Sequence, residues 1–253
     1  MSVDIKQIYA EYLQSEQEKR DKKYEKYEGW LGASSSGHCF KKQYYKLHNI
    51  ETDDIDRRVN RLLRLGTIVH SDIEKAIKAY NKTHKTDIKT EKQIKIPKLK
   101  VIGHIDILET TSINKIYDIK TVASYKWRMK FGRKNADLNS DVNYNLQLGT
   151  YGLGIKNANG LDTELYLCWY NKDNSSMKEP LQVDSEWIYL AEEYWENLWE
   201  SVNEWNEQSV EPDEVISNIT QRSPVQEWEC NYCQYSYRCN SPYIKNKQNN
   251  LKL

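Results

Sequence analysis

Apolar and polar positions divide the chain into helices and strands. Ser2 to Tyr27 is polar and charged almost throughout, which predicts a solvated helix that stops near Gly29 and Gly32. A loop of small residues, Ala33 to Gly37, leads into a short helical stretch, His38 to His48. From Asp53 to Tyr80, Val59, Leu62, Gly66, Val69, Ile73 and Ile77 recur at a period of about 3.6 residues, the mark of a long amphipathic helix. Three strands are predicted next: Gln93–Ile96, Val101–Glu109 and Lys115–Thr121. A helix over Asp141–Ile155, strands over Glu164–Tyr170 and Leu181–Val183, and a Trp-rich acidic helix over Glu186–Glu207 complete the set. No repeat or linker interrupts this order. It predicts an α/β fold, with helices on a small mixed sheet.

The densest chemistry lies in the central hairpin. Side chains alternate along a strand, so Asp118 and Lys120 share a face, as do His104 and Asp106. A five-residue turn, Thr110 to Asn114, pairs Glu109 with Lys115 and Leu108 with Ile116, and sets Asp106 opposite Asp118. Cβ atoms in such a pair stand about 4.5–5.5 Å apart. Two carboxylates there repel by about 3 kcal/mol at an effective dielectric near 20. Cross-strand packing returns only about 0.2–1 kcal/mol per pair. A divalent cation, or a raised pKa on one acid, resolves the conflict. Solvent exposure would also relieve it, but Ile102, Leu108 and Ile116 fall on the same predicted face, which favours a metal. His70 falls inside the apolar arc of the long helix, with Val69, Ile73 and Ile77, and is a candidate third ligand; His104 competes for that role. Arg57, Arg61 and Arg64 fall on the opposite side of the helix, away from the site.

Composition then limits the function classes. The chain has 253 residues, 38% of them hydrophobic, which is too apolar for a disordered protein. No apolar run of about 18 residues is present, so no membrane span is expected, and the charged N-terminus lacks an export signal. Thirty-seven basic and 37 acidic residues cancel, which at first argues against nucleic acid. The charges are not evenly mixed, however. Ile119 to Ala136 holds six basic residues and no acid, whereas Asp184 to Glu229 holds thirteen acids against Arg222 alone.

The ordered series His70, Asp106, Asp118-Ile119-Lys120 and Gln147-x-x-x-Tyr151 resembles the PD-(D/E)XK nucleases, and within them the RecB/AddB branch. Ile105-Asp106 stands where the family name has Pro-Asp, a departure that this branch tolerates. The resemblance implies a restriction-endonuclease-like core and a DNA exonuclease that hydrolyses phosphodiester bonds from DNA ends in recombination or repair. His70, Asp106, Asp118 and the carbonyl of Ile119 would hold Mg²⁺ or Mn²⁺. Lys120 would orient the attacking water and stabilise charge on the phosphate. Gln147 and Tyr151 would position Lys120 or the substrate. The basic stretch Lys126, Trp127, Arg128, Lys130, Arg133 and Lys134 follows the catalytic lysine and is expected to contact phosphates and stack on bases.

Five cysteines occur, and Cys230-x-x-Cys233-x5-Cys239 is too tightly spaced for an ordinary disulfide framework. A fourth ligand would come from Cys39, Cys168 or His38; Cys168 alternates within a predicted strand and reads as a core thiol. The segment Ser34 to Tyr45, with Cys39 before a basic-aromatic run, resembles the start of AddB-type and CRISPR-associated RecB-like nucleases. That resemblance implies a [4Fe–4S] cluster on Cys39, Cys230, Cys233 and Cys239, clasping the N- and C-terminal segments together. Spacing alone leaves a structural Zn²⁺ on the same thiolates open.

The expected organisation is an N-terminal helical segment over 1–32, one nuclease domain over 33–240 and a tail over 241–253. The expected partner is DNA, single-stranded or with an accessible end, in the cytoplasm of a bacterium or of a phage host. No Gly-x4-Gly-Lys-Ser/Thr occurs, so a helicase or recombination partner would supply any motor. Two readings compete with the enzyme. One is a catalytically silent nuclease-fold module that binds DNA or a partner. The other is a metal-stabilised interaction domain using the Trp-rich helix.

Overall fold

A six-stranded mixed sheet carries the molecule, and the way its central strand is paired creates the opening for the site. The computed structural model describes residues 3–53, 57–132, 141–215 and 227–244. Along one edge β3 (Val101–Thr110) pairs antiparallel with β2 (Lys89–Ile96). Its other edge is shared. The two-residue strand β1 (Leu31–Gly32) runs parallel to Val101 and Ile102, and β4 (Asn114–Val122) pairs antiparallel with Ile107 to Thr110. Between these partners the edge from Gly103 to Asp106 is left open. Beyond β4 the order continues with parallel β5 (Thr163–Asn171) and antiparallel β6 (Leu181–Val183).

The expected hairpin register is present: Glu109 pairs with Lys115 and Leu108 with Ile116. The turn is shorter than the five residues predicted, because Thr110 and Asn114 also pair. Alternation holds along β3 with both faces covered: Val101 and Ile105 are buried on one face, Ile102 and Leu108 on the other. The β2–β3 register runs unbroken past Asp106, although Glu91 opposite it has a left-handed φ of 50°.

Helix α5 (Val142–Asn159) packs on β2, β4 and β5, and α6 (Glu186–Glu207) packs on α5. The tryptophans of α6 face inward: Trp195 is fully buried, and Trp187, Trp199 and Trp205 lie against the same core. This removes the aromatic surface that an interaction domain would have used. Helix α1 (Ile5–Tyr24) ends in a 3₁₀ turn, Glu25–Tyr27, and α2 (Phe40–Leu47) joins the core through Phe40 and Tyr44.

The long helix α3 (Arg57–His84) corrects one expectation. It forms, but its apolar arc is only partly covered. Val59 and Leu62 are 42% and 41% exposed, Val69, Ile73 and Ile77 are half-buried, and no α3 residue belongs to the core cluster. Periodicity predicted an apolar face; it did not predict what would cover it. At Gly66 the helix touches the sheet, where an added Cβ would lie 2.8 Å from the Thr121 hydroxyl. Among the described residues, no helix is long and apolar enough to cross a membrane.

Helix α2 meets the segment around residues 213–240. Lys41 of α2 is almost fully buried, and its ammonium donates to the carbonyls of Asp213 and Val215 and to Asn240 Oδ1, at 3.0, 2.5 and 3.1 Å. Tyr45 packs on Tyr235 with ring centroids 4.9 Å apart, beside buried Cys239.

Candidate active site

Asp106, Asp118, Lys120, Gln147, Tyr151 and His70 come together where β3 and β4 diverge. The ladder stops at Ile107–Tyr117, one step short of the expected Asp106–Asp118 pair. Asp106 Oδ2 instead accepts the amide N–H of Ile119 at 2.7 Å. Ile119 thus meets Asp106 through its N–H, whereas the expected metal ligand is its carbonyl. His70 Nδ1 reaches the same carboxylate oxygen from α3, at 3.5 Å. Close approach of α5 completes the site, and Gly103 permits it. A Cβ there would lie 2.7 Å from Ala33 Cβ and 2.8 Å from the Tyr151 ring.

Lys120 is held from three directions. Its ammonium lies 2.6 Å from Asp118 Oδ2, donates to Gln147 Oε1 at 2.8 Å, and sits 4.7 Å from the centroid of Tyr144. Gln147 in turn donates to the Tyr151 hydroxyl at 2.8 Å and lies 3.5 Å from Asp118 Oδ1. The amide therefore aims the lysine, and the tyrosine one turn along α5 fixes the amide. Tyr144 is a contact the sequence reading missed; an aromatic three residues before Gln147 on the same helix was the available signal.

The electrostatics match a site built for a cation. Asp118 is 1% exposed. Burial is the main cause that pushes its carboxyl up to about 6; the Lys120 ammonium opposes this and the Asp106 charge adds to it. Burial also disfavours charge on His70, but the Asp106 carboxylate, with Asp118 behind it, outweighs that and raises its pKa. Asp118 Oδ2 is buried without an aligned hydrogen-bond donor, although the Lys120 ammonium is near. Two carboxylates, one of them buried, beside an imidazole suit a hard divalent ion that keeps several waters. As they stand, no three His, Cys, Asp or Glu side chains among the described residues are grouped to hold a metal. Lys120 occupies Asp118, and the Ile119 amide occupies Asp106.

His104 is drawn elsewhere. The Tyr24 hydroxyl meets its Nδ1 at 3.2 Å and Gln93 Nε2 meets its Nε2 at 3.3 Å.

The basic stretch is partly paired within the protein. Lys126, Trp127, Arg128 and Lys130 lie on α4 (Ser124–Phe131). Lys126 and Lys130 both pair with Asp141, which is buried. Trp127 packs against the core with Phe131. Arg128 remains exposed, and Arg133 and Lys134 lie outside the described residues. The run had no acid within it; its counter-charge comes from the start of α5. Arg61 and Arg64 lie away from the carboxylates, on the side of α3 where the helix projection put them. They line a groove between α1 and α3, and Arg64 donates to the Tyr12 hydroxyl at 3.2 Å.

Cys39, Cys230, Cys233 and Cys239 all line one cavity of about 150 Å³, with His38 and Tyr45. Burial pushes the Cys39 thiol up to about 11; the amides of Lys42 and Lys41 at the start of α2 oppose this. Cys168 stands apart on β5, across from Ile119, with its thiol raised to about 12 by burial first and by Asp118 and Asp106 after it.

A model of the PD-(D/E)XK nuclease superfamily matches residues 80–240 of the chain. No curated protein matches it. Seventeen solved chains do. SSO0001 superposes with a TM-score of 0.55 at 17% identity, over 92% of this chain and 96% of its own. A candidate exonuclease from Eubacterium rectale gives 0.50 at 11% identity, over 74% and 86%. At these identities the likeness is one of fold.

Proposed function

Because the chain belongs to the PD-(D/E)XK nuclease superfamily, we propose that it is a DNA exonuclease of the RecB-like branch, dependent on Mg²⁺ or Mn²⁺. The observation that carries this reading is the Lys120 ammonium, held between Asp118 and Gln147 at 2.6 and 2.8 Å, one strand from Asp106. Asp106, Asp118, His70 and the carbonyl of Ile119 would hold the ion. A bound divalent ion would polarise the phosphate and lower the pKa of its water. Lys120 carries a fixed positive charge next to the phosphate and orients the attacking water, and Gln147 and Tyr151 keep it aimed. A silent binding module would have no use for this fully connected lysine. The test is degradation of end-labelled single- and double-stranded DNA with Mg²⁺, Mn²⁺ or chelator. Mononucleotide release from ends, lost with chelator, is the expected result. Intact DNA under every metal condition rejects the assignment.

The four-cysteine cavity is the support for a structural [4Fe–4S] cluster, with Zn²⁺ as the alternative. Thiolates need stabilising, and the first amides of α2 point at Cys39. The group would tie α2 to the C-terminal segment, which Lys41 and Tyr45 already hold. Cys39→Ala is expected to lose the bound metal and lower the melting temperature by several degrees. Unchanged metal content and melting temperature would exclude the clasp. A brown sample with visible absorption distinguishes iron–sulfur from colourless zinc.

A further inference from the structure

The chain ahead of the family match places aromatic side chains along a groove that ends at the carboxylates. This groove, of about 1450 Å³, lies between the end of α1, the turn after it, α2 and α3, and reaches His70 and Asp106. It exceeds the roughly 300–1,000 Å³ of small-molecule pockets, so it suits a length of polymer. Tyr24, Tyr27 and Trp30 line it, with His104 at the inner end. Ring centroids follow one another at 6.1 Å (Trp30 to Tyr27), 6.4 Å (Tyr27 to Tyr24) and 6.1 Å (Tyr24 to His104). The last of these residues is two positions from Asp106.

These rings are not core. All three are half-buried, and none belongs to the core clusters. Polar contacts set the row: Tyr24 with His104, and the Tyr27 hydroxyl donating to Gln93 Oε1 at 3.4 Å. Cations accompany it. Lys26 and Lys95 hold their ammoniums 5.2 and 5.0 Å from the Tyr27 centroid. Lys46 of α2 lines the same groove, and Lys42, one turn earlier, lines the adjoining groove of about 1200 Å³ that shares Lys46 and Arg20. Among the described residues neither Lys42 nor Lys46 makes an ion pair. Burial, and then the neighbouring Lys42 charge, lowers the Lys46 pKa. The acids Asp21, Glu25 and Glu28 line the groove beside the aromatic row, with Arg20 and Lys46 as its lining cations, and Glu74 and Glu91 stand with Asp106 at the inner end.

Resting on the nuclease reading above, we infer that this groove binds a single nucleic-acid strand, its bases against Tyr24, Tyr27 and Trp30 and its phosphates against Lys42 and Lys46. Interleaved aromatics and cations are the chemistry of single-strand tracks. Aromatic rings can stack on a base only where its face is free of a neighbour, so the row selects unpaired ends over intact duplex. The strand would run past His104 to the carboxylates, which sets its end at Lys120.

Fluorescence anisotropy with a labelled oligo-dT, and with a blunt hairpin duplex, tests this in divalent-free buffer, where binding is read without cleavage. Tyr27→Ala and Trp30→Ala are each expected to weaken oligo-dT binding roughly 5- to 100-fold. Lys46→Glu is expected to weaken it too and to flatten its salt dependence. Duplex affinity should change little in the aromatic variants, and melting temperatures are measured alongside. If Trp30→Ala fails to fold, Tyr27→Ala and Lys46→Glu decide alone. Wild-type oligo-dT affinity in folded Tyr27→Ala and Lys46→Glu overturns the track, and so does an equal loss for duplex. DNA cleavage that persists with unaffected binding rejects the track alone; single-strand binding through these residues without metal-dependent cleavage rejects the nuclease reading alone.

Discussion

Lys120→Ala is expected to cleave DNA about 10²- to 10³-fold more slowly, the usual loss when one fixed donor to a developing charge is removed. The fold should survive, because the lysine is not part of the core cluster. Metal binding should survive as well. In the metal-free protein the ammonium sits 2.6 Å from Asp118 Oδ2, so it competes with a divalent ion for that oxygen. Removing it leaves Asp118 available, and the thermal shift produced by Mn²⁺ should be kept or enlarged while turnover is lost. Gln147→Ala is expected to be milder, about tenfold and mainly in kcat, because Tyr144 and Asp118 still hold the lysine. Single-turnover cleavage and Mn²⁺ titration by thermal shift make the comparison. Equal cleavage by Lys120→Ala and wild type rejects the assigned site. Loss of the Mn²⁺ shift in Lys120→Ala rejects the separation of roles between the lysine and the carboxylates.

The site was legible in the sequence where local rules decide the geometry. The Glu109–Lys115 pair and the short turn set the hairpin register, and α5 brought Gln147 and Tyr151 to the lysine as their spacing of four predicts. It was not legible where distant groups decide. The alternation rule set Asp106 face to face with Asp118, but the β3–β4 ladder ends at Ile107–Tyr117, and the Asp106 carboxylate meets the Ile119 amide instead. Lys126 and Lys130 read as open charge because Asp141, their partner, lies beyond the run. The arc on α3 read as buried because periodicity records a face and not its covering. Tyr24, Tyr27 and Trp30 were passed over within a segment read as a solvated helix. Their spacing of three was a signal, since side chains three apart align in a 3₁₀ turn, and Glu25–Tyr27 is one.

Asp118→Asn is expected to abolish cleavage and yet stabilise the metal-free protein at pH 8. Burial, with Asp106 adding its charge, holds the Asp118 carboxyl up at about 6, above its ordinary value of 3.8. A raised carboxyl pKa means that the folded state binds the extra proton between those two values. Stability then falls as pH rises from about 4 to about 6, and the loss persists above. His70 acts in the same direction: its raised pKa contributes stability below the ordinary histidine value that is lost as pH climbs through the folded one. Asparagine keeps the shape without the charge and removes the carboxylate penalty, on the order of 2 kcal/mol at pH 8, or roughly 5 °C in melting temperature. At pH 4 the two proteins should melt together. Mg²⁺ or Mn²⁺ relieves the same repulsion in the wild type, so its stabilising effect should be larger at pH 8 than at pH 5 and small in Asp118→Asn. Melting curves at these pH values, with and without metal, provide the check. Equal wild-type and Asp118→Asn stability at pH 8 in divalent-free buffer would show that Asp118 carries no uncompensated charge, and the case for a cation at this pair would lose its electrostatic basis.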